Sequence, residues 1–469
     1  MLFNTYSFLI FFPLVTLLFY LIPVKYRWIH LLACSCYFYM FFIPVYIFVL
    51  FTTILIDYYA GILIEQKTGK SRKIYLIISI ISTCLVLFIF KYFNFFEGAL
   101  QPLFNLLHLN RLNHKFNILL PIGLSFHTFQ SLSYVIEVYK GRQKAEKHLG
   151  IYSLYVMFYP QLVTGPIERP QNLLRQLRET QVFKYDNLAN GLRLILFGLF
   201  LKMVVADNLA PYVDLIYKTP AIYNSFSILT AIVFYSFQIY CDFFGYSSIA
   251  VGCALTMGFN LMDNFKSPYM ARSINEFWQR WHISLSTWFR DYVYFGLGGN
   301  KVVKYRWVIN IVIVFTLSGL WHGANWTFML WGFLFAIYYI VENLIGKAIN
   351  IPDAKSIFSI KHIFYTAITF TGVSLLWVVF RSQNIYLVKD IFASLVHNRH
   401  LIDNLLIESK VWFFLILFVL ADLALYNKRF DTVCGNLKPW FRWSIYSIMI
   451  FCIIAFSGVE NYPFIYFQF

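Results

Sequence analysis

Long apolar runs separated by short polar loops dominate the chain. A helix needs about 20 mostly apolar residues to cross a hydrocarbon core of about 30 Å. Apolar runs recur at 5–22, 28–42, 46–64, 74–90, 119–139, 151–163, 191–206, 227–258, 307–341, 362–380, 411–426 and 443–457. This pattern predicts an all-α polytopic membrane protein with roughly 11–13 membrane segments, some of them re-entrant. No internal repeat and no disordered linker interrupt it, so a single transmembrane domain over 1–469 is expected. The missing repeat also weakens an inverted-repeat transporter as a reading. The run 307–341 would be about 52 Å long as one helix, well beyond the hydrocarbon thickness. It is therefore expected to break at SGLWHGAN (318–325), where Gly319 and Gly323 permit it, which puts His322 at the junction of two buried segments.

The stretch SINEFWQRWHISLSTWFRDYVY (273–294) has a different pattern. Ile274, Phe277, Trp278, Trp281, Leu285, Trp288, Phe289 and Tyr292 fall on one helical stripe, with Glu276, Gln279, Arg280, Arg290 and Asp291 opposite. An unbroken amphipathic helix is expected, lying in the membrane interface or against the protein's own membrane funnel. His282 lies at the border of the stripe, where a surface histidine is the ordinary reading.

Composition excludes the soluble classes. The 469 residues are 59% hydrophobic and 13% charged, with 52 Phe, 34 Tyr and 12 Trp. A soluble chain has about 45–50% apolar and about 25% charged residues. Disorder, a disulfide scaffold and a small secreted domain are excluded as well. Lys and Arg number 38 against 22 Asp and Glu, a net charge of +16. The basic residues gather in loops such as EQKTGKSRK (65–73) and KGRQKAEKH (140–148), which is the signature of cytoplasmic loops rather than of nucleic-acid binding. With both loops inside, the start of the chain lies outside and the first five helices alternate consistently. The first run has no basic flank or small-residue cleavage site before Lys25 and Arg27, so an uncleaved helix is expected there. The seven cysteines form no CxxC pair and are read as free thiols; no metal site is expected.

Several residues carry chemistry. His322, flanked by apolar sequence on both sides, is either a general base poised near neutral pH or a neutral histidine bonded to a carbonyl, and its position alone favours neither. Asp57, Glu137, Asp207 and Asp242 lie in or beside apolar runs. They read as latches paired with arginine more readily than as proton carriers. FGLGGN (295–300) could cradle phosphate, but a turn after a helix explains it equally well. No GxSxG, HExxH or P-loop motif is present.

Two stretches, RSINEFWQRWHISLSTWFRDYVYFGLGGN (272–300) and SGLWHGANWTFMLWG (318–332), resemble the membrane-bound O-acyltransferase family. The sequence is most similar to the membrane component of alginate and peptidoglycan O-acetyltransferases. LPIGLSFHTFQSLSYVIEVYKG (120–141), PQLVTGPIERP (160–170), QIYCDFFGYSSIAVG (238–252) and PFIYFQF (463–469) match that branch in the same order. The resemblance implies a ring of helices around a thinned funnel or tunnel, with 272–332 as the catalytic core segment. It further implies that His322 is the catalytic histidine and His282 a second histidine of the same tunnel. Asn325, Trp321, Arg290, Asp291, Asp242 and Arg169 are expected to line or support it. His127 stands where relatives commonly carry an aromatic residue, and Ser248 where an aspartate is usual. Gly165, Pro166 and Arg169 are expected to shape a re-entrant loop.

The implied activity is an O-acyltransferase of a bacterial inner membrane. It would take acetyl from a cytoplasmic thioester, acetyl-CoA as the expected donor, with no cofactor held permanently. An extracytoplasmic acetyltransferase partner would place the acetyl on a polysaccharide such as alginate or peptidoglycan. Two alternatives stand beside it. One is D-alanyl transfer to teichoic acid from a carrier protein; the other is a proton-coupled transporter or flippase.

Overall fold

The structure is a computed structural model that describes residues 1–106, 121, 123–163, 165–349, 359–400, 406–457 and 462–465. Among the described residues there are helices and no strands. The start of the 119–139 run, Thr164 and the last four residues of PFIYFQF lie outside them. The chain falls into two compact units. One comprises Met1–Gly191 and Cys253–Met262, the other Leu192–Gly252 and Asp263–Phe469.

The first unit contains α1 (Tyr6–Leu21), α2 (Arg27–Met40), α3 (Tyr46–Gln66), α4 (Gly69–Leu87), α5 (Leu124–Tyr139), α6 (Leu149–Met157) and α7 (Pro170–Arg178). Polar latches tie these helices together. The buried Asp57 carboxylate accepts from Ser79 Oγ at 2.6 Å and from Thr83 Oγ1 at 3.1 Å, joining α3 to α4. Glu137 of α5 accepts from Gln171 Nε2 at 2.6 Å and faces Arg142 at 3.8 Å. At α7, Asn260 donates its N–H to Gln176 Oε1 at 2.7 Å and accepts from Gln176 Nε2 at 2.9 Å. Beside that clasp, Glu168 accepts from the Met262 N–H and from Asn172 Nδ2.

The second unit takes in most of α8 (Tyr185–Lys218) and α9 (Ser225–Thr256). It continues with α10 (Ile274–Arg280), α11 (Ile283–Trp288), α12 (Lys304–His322), α13 (Trp326–Ile349), α14 (Ile360–Arg381), α15 (Ile385–His397), α16 (Ser409–Ala424), α17 (Phe430–Gly435) and α18 (Pro439–Phe456). Among the described residues seven helices are long and apolar enough to cross a membrane. They are Tyr46–Gln66, Gly69–Leu106, Tyr185–Lys218, Ser225–Thr256, Trp326–Gly346, Ile360–Arg381 and Pro439–Phe456. The protein is thus an all-helical, multi-pass membrane protein. Other apolar runs form shorter helices, such as the 16-residue α1 and α16.

The 307–341 run breaks where expected, between His322 and Trp326. The 273–294 stretch does not form the expected unbroken helix. It stops at Arg280, passes through an extended Trp281 (φ −102°, ψ 128°) and a left-handed His282 (φ 42°, ψ 54°), and restarts at Ile283. Both ends are capped: Trp281 N–H bonds to the Phe277 carbonyl at 2.8 Å and Ser286 N–H to the His282 carbonyl at 3.0 Å. The stripe survives this break because Phe277, Trp281, Leu285 and Trp288 all remain buried.

Candidate functional site

α12 ends at His322 because Gly323 turns to an extended conformation (φ −166°, ψ 153°). A Cβ on Gly323 would overlap the Phe328 ring, so any larger residue at this turn would have to displace that ring. Asn325 starts α13. Its Oδ1 accepts from Thr327 N–H at 3.1 Å, and its Nδ2 donates to the Gln383 carbonyl at 2.7 Å. Below the turn the two helices touch backbone to backbone. A Cβ on Gly319 would overlap the Phe328 carbonyl oxygen, and one on Gly332 the Phe315 carbonyl oxygen. Small residues permit such close approach between membrane helices.

This packing sets His322 in an aromatic box. Its ring, 5% exposed as a residue, meets Trp331 at 5.3 Å and 89° and Phe380 at 5.3 Å and 76°. Trp321 lies next to it at 4.9 Å. The same indole meets His282 at 6.1 Å, so the two predicted histidines flank one ring. Trp377 continues the wall by stacking on Trp331 at 5.6 Å and packing on Trp281 at 5.0 Å.

His282 is fully buried, not a surface residue. It lies outside the seven spanning helices, and burial pushes its imidazole down to about 3, which keeps the ring neutral at physiological pH. Its left-handed backbone is held by Asn264, which sequence reasoning missed. The Asn264 carbonyl accepts from Ile283 N–H at 3.0 Å, its Oδ1 from Ser284 N–H at 3.3 Å, and its Nδ2 donates to Ser247 Oγ at 3.2 Å. The partner segment is 20 residues away and carries no motif, so its role was visible only in three dimensions. A second clasp fixes the start of α10, where both Glu342 oxygens accept from Ile274 N–H at 2.9 and 2.8 Å.

The remaining predicted residues separate by role. Arg290 and Asp291 pair with each other at 2.8 Å. Arg290 lines a cavity of about 660 Å³ in the second unit, together with Trp278, Ser286, Phe315 and Ser318. Ser318 precedes His322 by one helical turn, on the same face of α12. Asp242 is a latch, as expected, but its partner is Lys202 at 2.7 Å rather than an arginine; Lys202 also holds Asp207 at 2.8 Å. Arg169 belongs to the first unit, where its Nη1 lies 3.5 Å from Ser133 Oγ. FGLGGN forms a turn, with Gly298 and Gly299 at positive φ, and Asn310 Nδ2 donates to the Leu297 carbonyl at 3.1 Å.

The model of the membrane-bound O-acyltransferase family matches residues 148–380, which include both histidines and α10–α14 up to the penultimate residue of α14. The chain is 35% identical over 395 residues to a probable alginate O-acetylase of Azotobacter vinelandii, covering 84% of this chain and 77% of that one. It is 32% identical over 393 residues to a peptidoglycan O-acetyltransferase of Helicobacter pylori, covering 78% and 73%. A teichoic acid D-alanyltransferase of Bacillus subtilis matches at 30% over 243 residues, 49% of this chain and 61% of that one. The chain thus belongs to the membrane-bound O-acyltransferase family and is a multi-pass membrane O-acyltransferase related to the alginate and peptidoglycan O-acetylating enzymes.

Proposed function

We propose that the chain takes an acetyl group from acetyl-CoA on the cytoplasmic side of a bacterial inner membrane and passes it outward. There an extracytoplasmic acetyltransferase partner places it on a polysaccharide of the alginate or peptidoglycan kind. The observation that carries this reading is the pairing of His322 and His282 around Trp321 at a helix break inside an apolar unit. His322 accepts the proton of an incoming hydroxyl while that oxygen attacks the thioester carbonyl. The C–O bond forms, the C–S bond breaks, and the departing thiolate takes the proton back from His322, leaving an ester and free CoA. His282, neutral and fixed, offers an N–H toward the carbonyl oxygen as negative charge develops there. Asn325, whose amide is engaged at both ends, supports the turn. The likeness to teichoic acid D-alanyltransferases keeps a second reading, in which a carrier-protein thioester supplies D-alanine.

The test uses liposomes holding the protein, its donor and a candidate extracytoplasmic partner, with acetyl-labelled acetyl-CoA. Wild-type protein releases CoA and moves the label, and His322→Ala lowers the rate by about 10²–10⁴. Equal release from the variant overturns the role of His322. Transfer that occurs only with a D-alanyl carrier protein selects the second reading.

A further inference from the structure

Residues 462–465 belong to the second unit: Tyr462 is half-buried and Pro463 exposed, and the segment then turns inward so that Phe464 and Ile465 are buried. The Phe464 ring packs on two residues of α9, Phe243 at 5.8 Å and Tyr246 at 4.7 Å. Ile465 N–H donates to Asp242 Oδ2 at 2.7 Å, across 223 residues of sequence. The other Asp242 oxygen lies 2.7 Å from Lys202 Nζ, which also reaches Asp207 at 2.8 Å, and all three charged side chains are buried. A buried N–H bonded to a carboxylate is among the stronger hydrogen bonds, and the lysine fixes where that carboxylate sits. The segment is therefore pinned at residue 242, and its phenyl ring packs against residue 243.

Phe243 is also the ring that His282 meets edge-on, at 4.6 Å and 86°. His282 occupies a left-handed turn between two short helices, so side-chain packing has more to decide there than in a regular helix. Removing the Phe464 ring would leave space beside Phe243 that the surroundings close only partly. Phe243 would then shift, and the imidazole with it. We propose that Phe464, anchored through Ile465 and Asp242, is a positioning residue for His282 that acts through the Phe243 ring. This rests on the catalytic reading of His282 given above.

The experiment compares wild type, Phe464→Ala, Phe464→Leu and His282→Ala as full-length chains. It measures kcat and KM for acetyl transfer, and the rate of diethyl pyrocarbonate modification at each histidine by mass spectrometry. A displacement near 1 Å at a reacting group costs up to about 10²-fold. Phe464→Ala is expected to lower kcat about tenfold or more with KM within about twofold. It is also expected to raise the modification rate of His282 relative to His127 and His362, both of which are buried in wild type. Phe464→Leu, which refills most of the space, restores both readouts. The proposal is overturned if His282 stays as protected in Phe464→Ala as in wild type, or if His127 and His362 open equally, which would mean general loosening. It is likewise overturned if kcat is unchanged while His282→Ala is inactive. If His282→Ala itself transfers acetyl at the wild-type rate, the catalytic reading of His282 fails, and the modification rates still decide whether Phe464 holds the ring.

Discussion

At the residue scale, His282 occupies a backbone region that costs a non-glycine residue about 1–2 kcal/mol. Asn264 reaches both residues that follow it, through its carbonyl to Ile283 and its side chain to Ser284. Asn264→Ala would leave the buried Ser284 N–H without its acceptor, a loss of about 1–3 kcal/mol. A lower thermal unfolding midpoint and a reduced kcat are expected together; a variant equal to wild type in both would remove Asn264 from the support of the turn. The resemblance singled out position 282 in the sequence. Its burial was not, because a residue at the edge of an apolar stripe reads as half-exposed until the partner elements are known. Asp242 was legible as a latch, whereas its lysine lay 40 positions away in another apolar run.

At the scale of elements, the two helix breaks were unequally visible. The one at 323–325 was forced by length and marked by glycines. The one at 281–282 has neither glycine nor proline, and its two-residue step leaves the apolar residues on both sides buried, so periodicity passes over it. Glycines also reverse an ordinary rule. Gly→Ala inside a helix usually stabilises by about 0.5–1 kcal/mol, through helix propensity and unfolded-chain entropy. Gly98, where an added Cβ meets nothing within 4 Å beyond its chain neighbours and its own helix backbone, should follow that rule. Gly319→Ala should do the opposite, since the new methyl meets the Phe328 backbone, which cannot rotate away as a side chain could. Overpacking of this kind costs about 1–3 kcal/mol. Unfolding midpoints of the two variants should move in opposite directions, and only Gly319→Ala should also reduce acyl transfer, by spreading α12 and α13 at His322. A Gly319→Ala protein as stable as wild type would mean that the helices separate without cost.

At the scale of the whole molecule, the all-helical membrane architecture was legible from apolar runs alone, and the positive loops suggested an orientation. The contacts that tie distant segments together were not, because they join single polar residues from unrelated stretches. Glu168 is one such residue and gives the chain a pH response. Burial raises its pKa from the ordinary 4.5 to about 7, against opposing hydrogen bonds from Asn172 and the Met262 N–H and the nearby Arg169 charge. Below pH 4.5 both folded and unfolded chains hold the proton. Between about 4.5 and 7 only the folded chain keeps it, so this contribution to stability declines as pH rises and is gone above about 7. Glu168→Gln, which cannot titrate, should flatten that part of the profile of unfolding midpoint against pH. A wild-type profile parallel to that of the variant would show that Glu168 ionises as it does in the unfolded chain.

The left-handed residue at 282 also bears on stability engineering. A redesign guided by backbone geometry would place glycine or asparagine there, since both tolerate that conformation better than histidine. The edited chain would gain backbone stability and lose the imidazole beside Trp321. On the role proposed for His282, thermostability screens would therefore reward the substitution that an activity screen rejects.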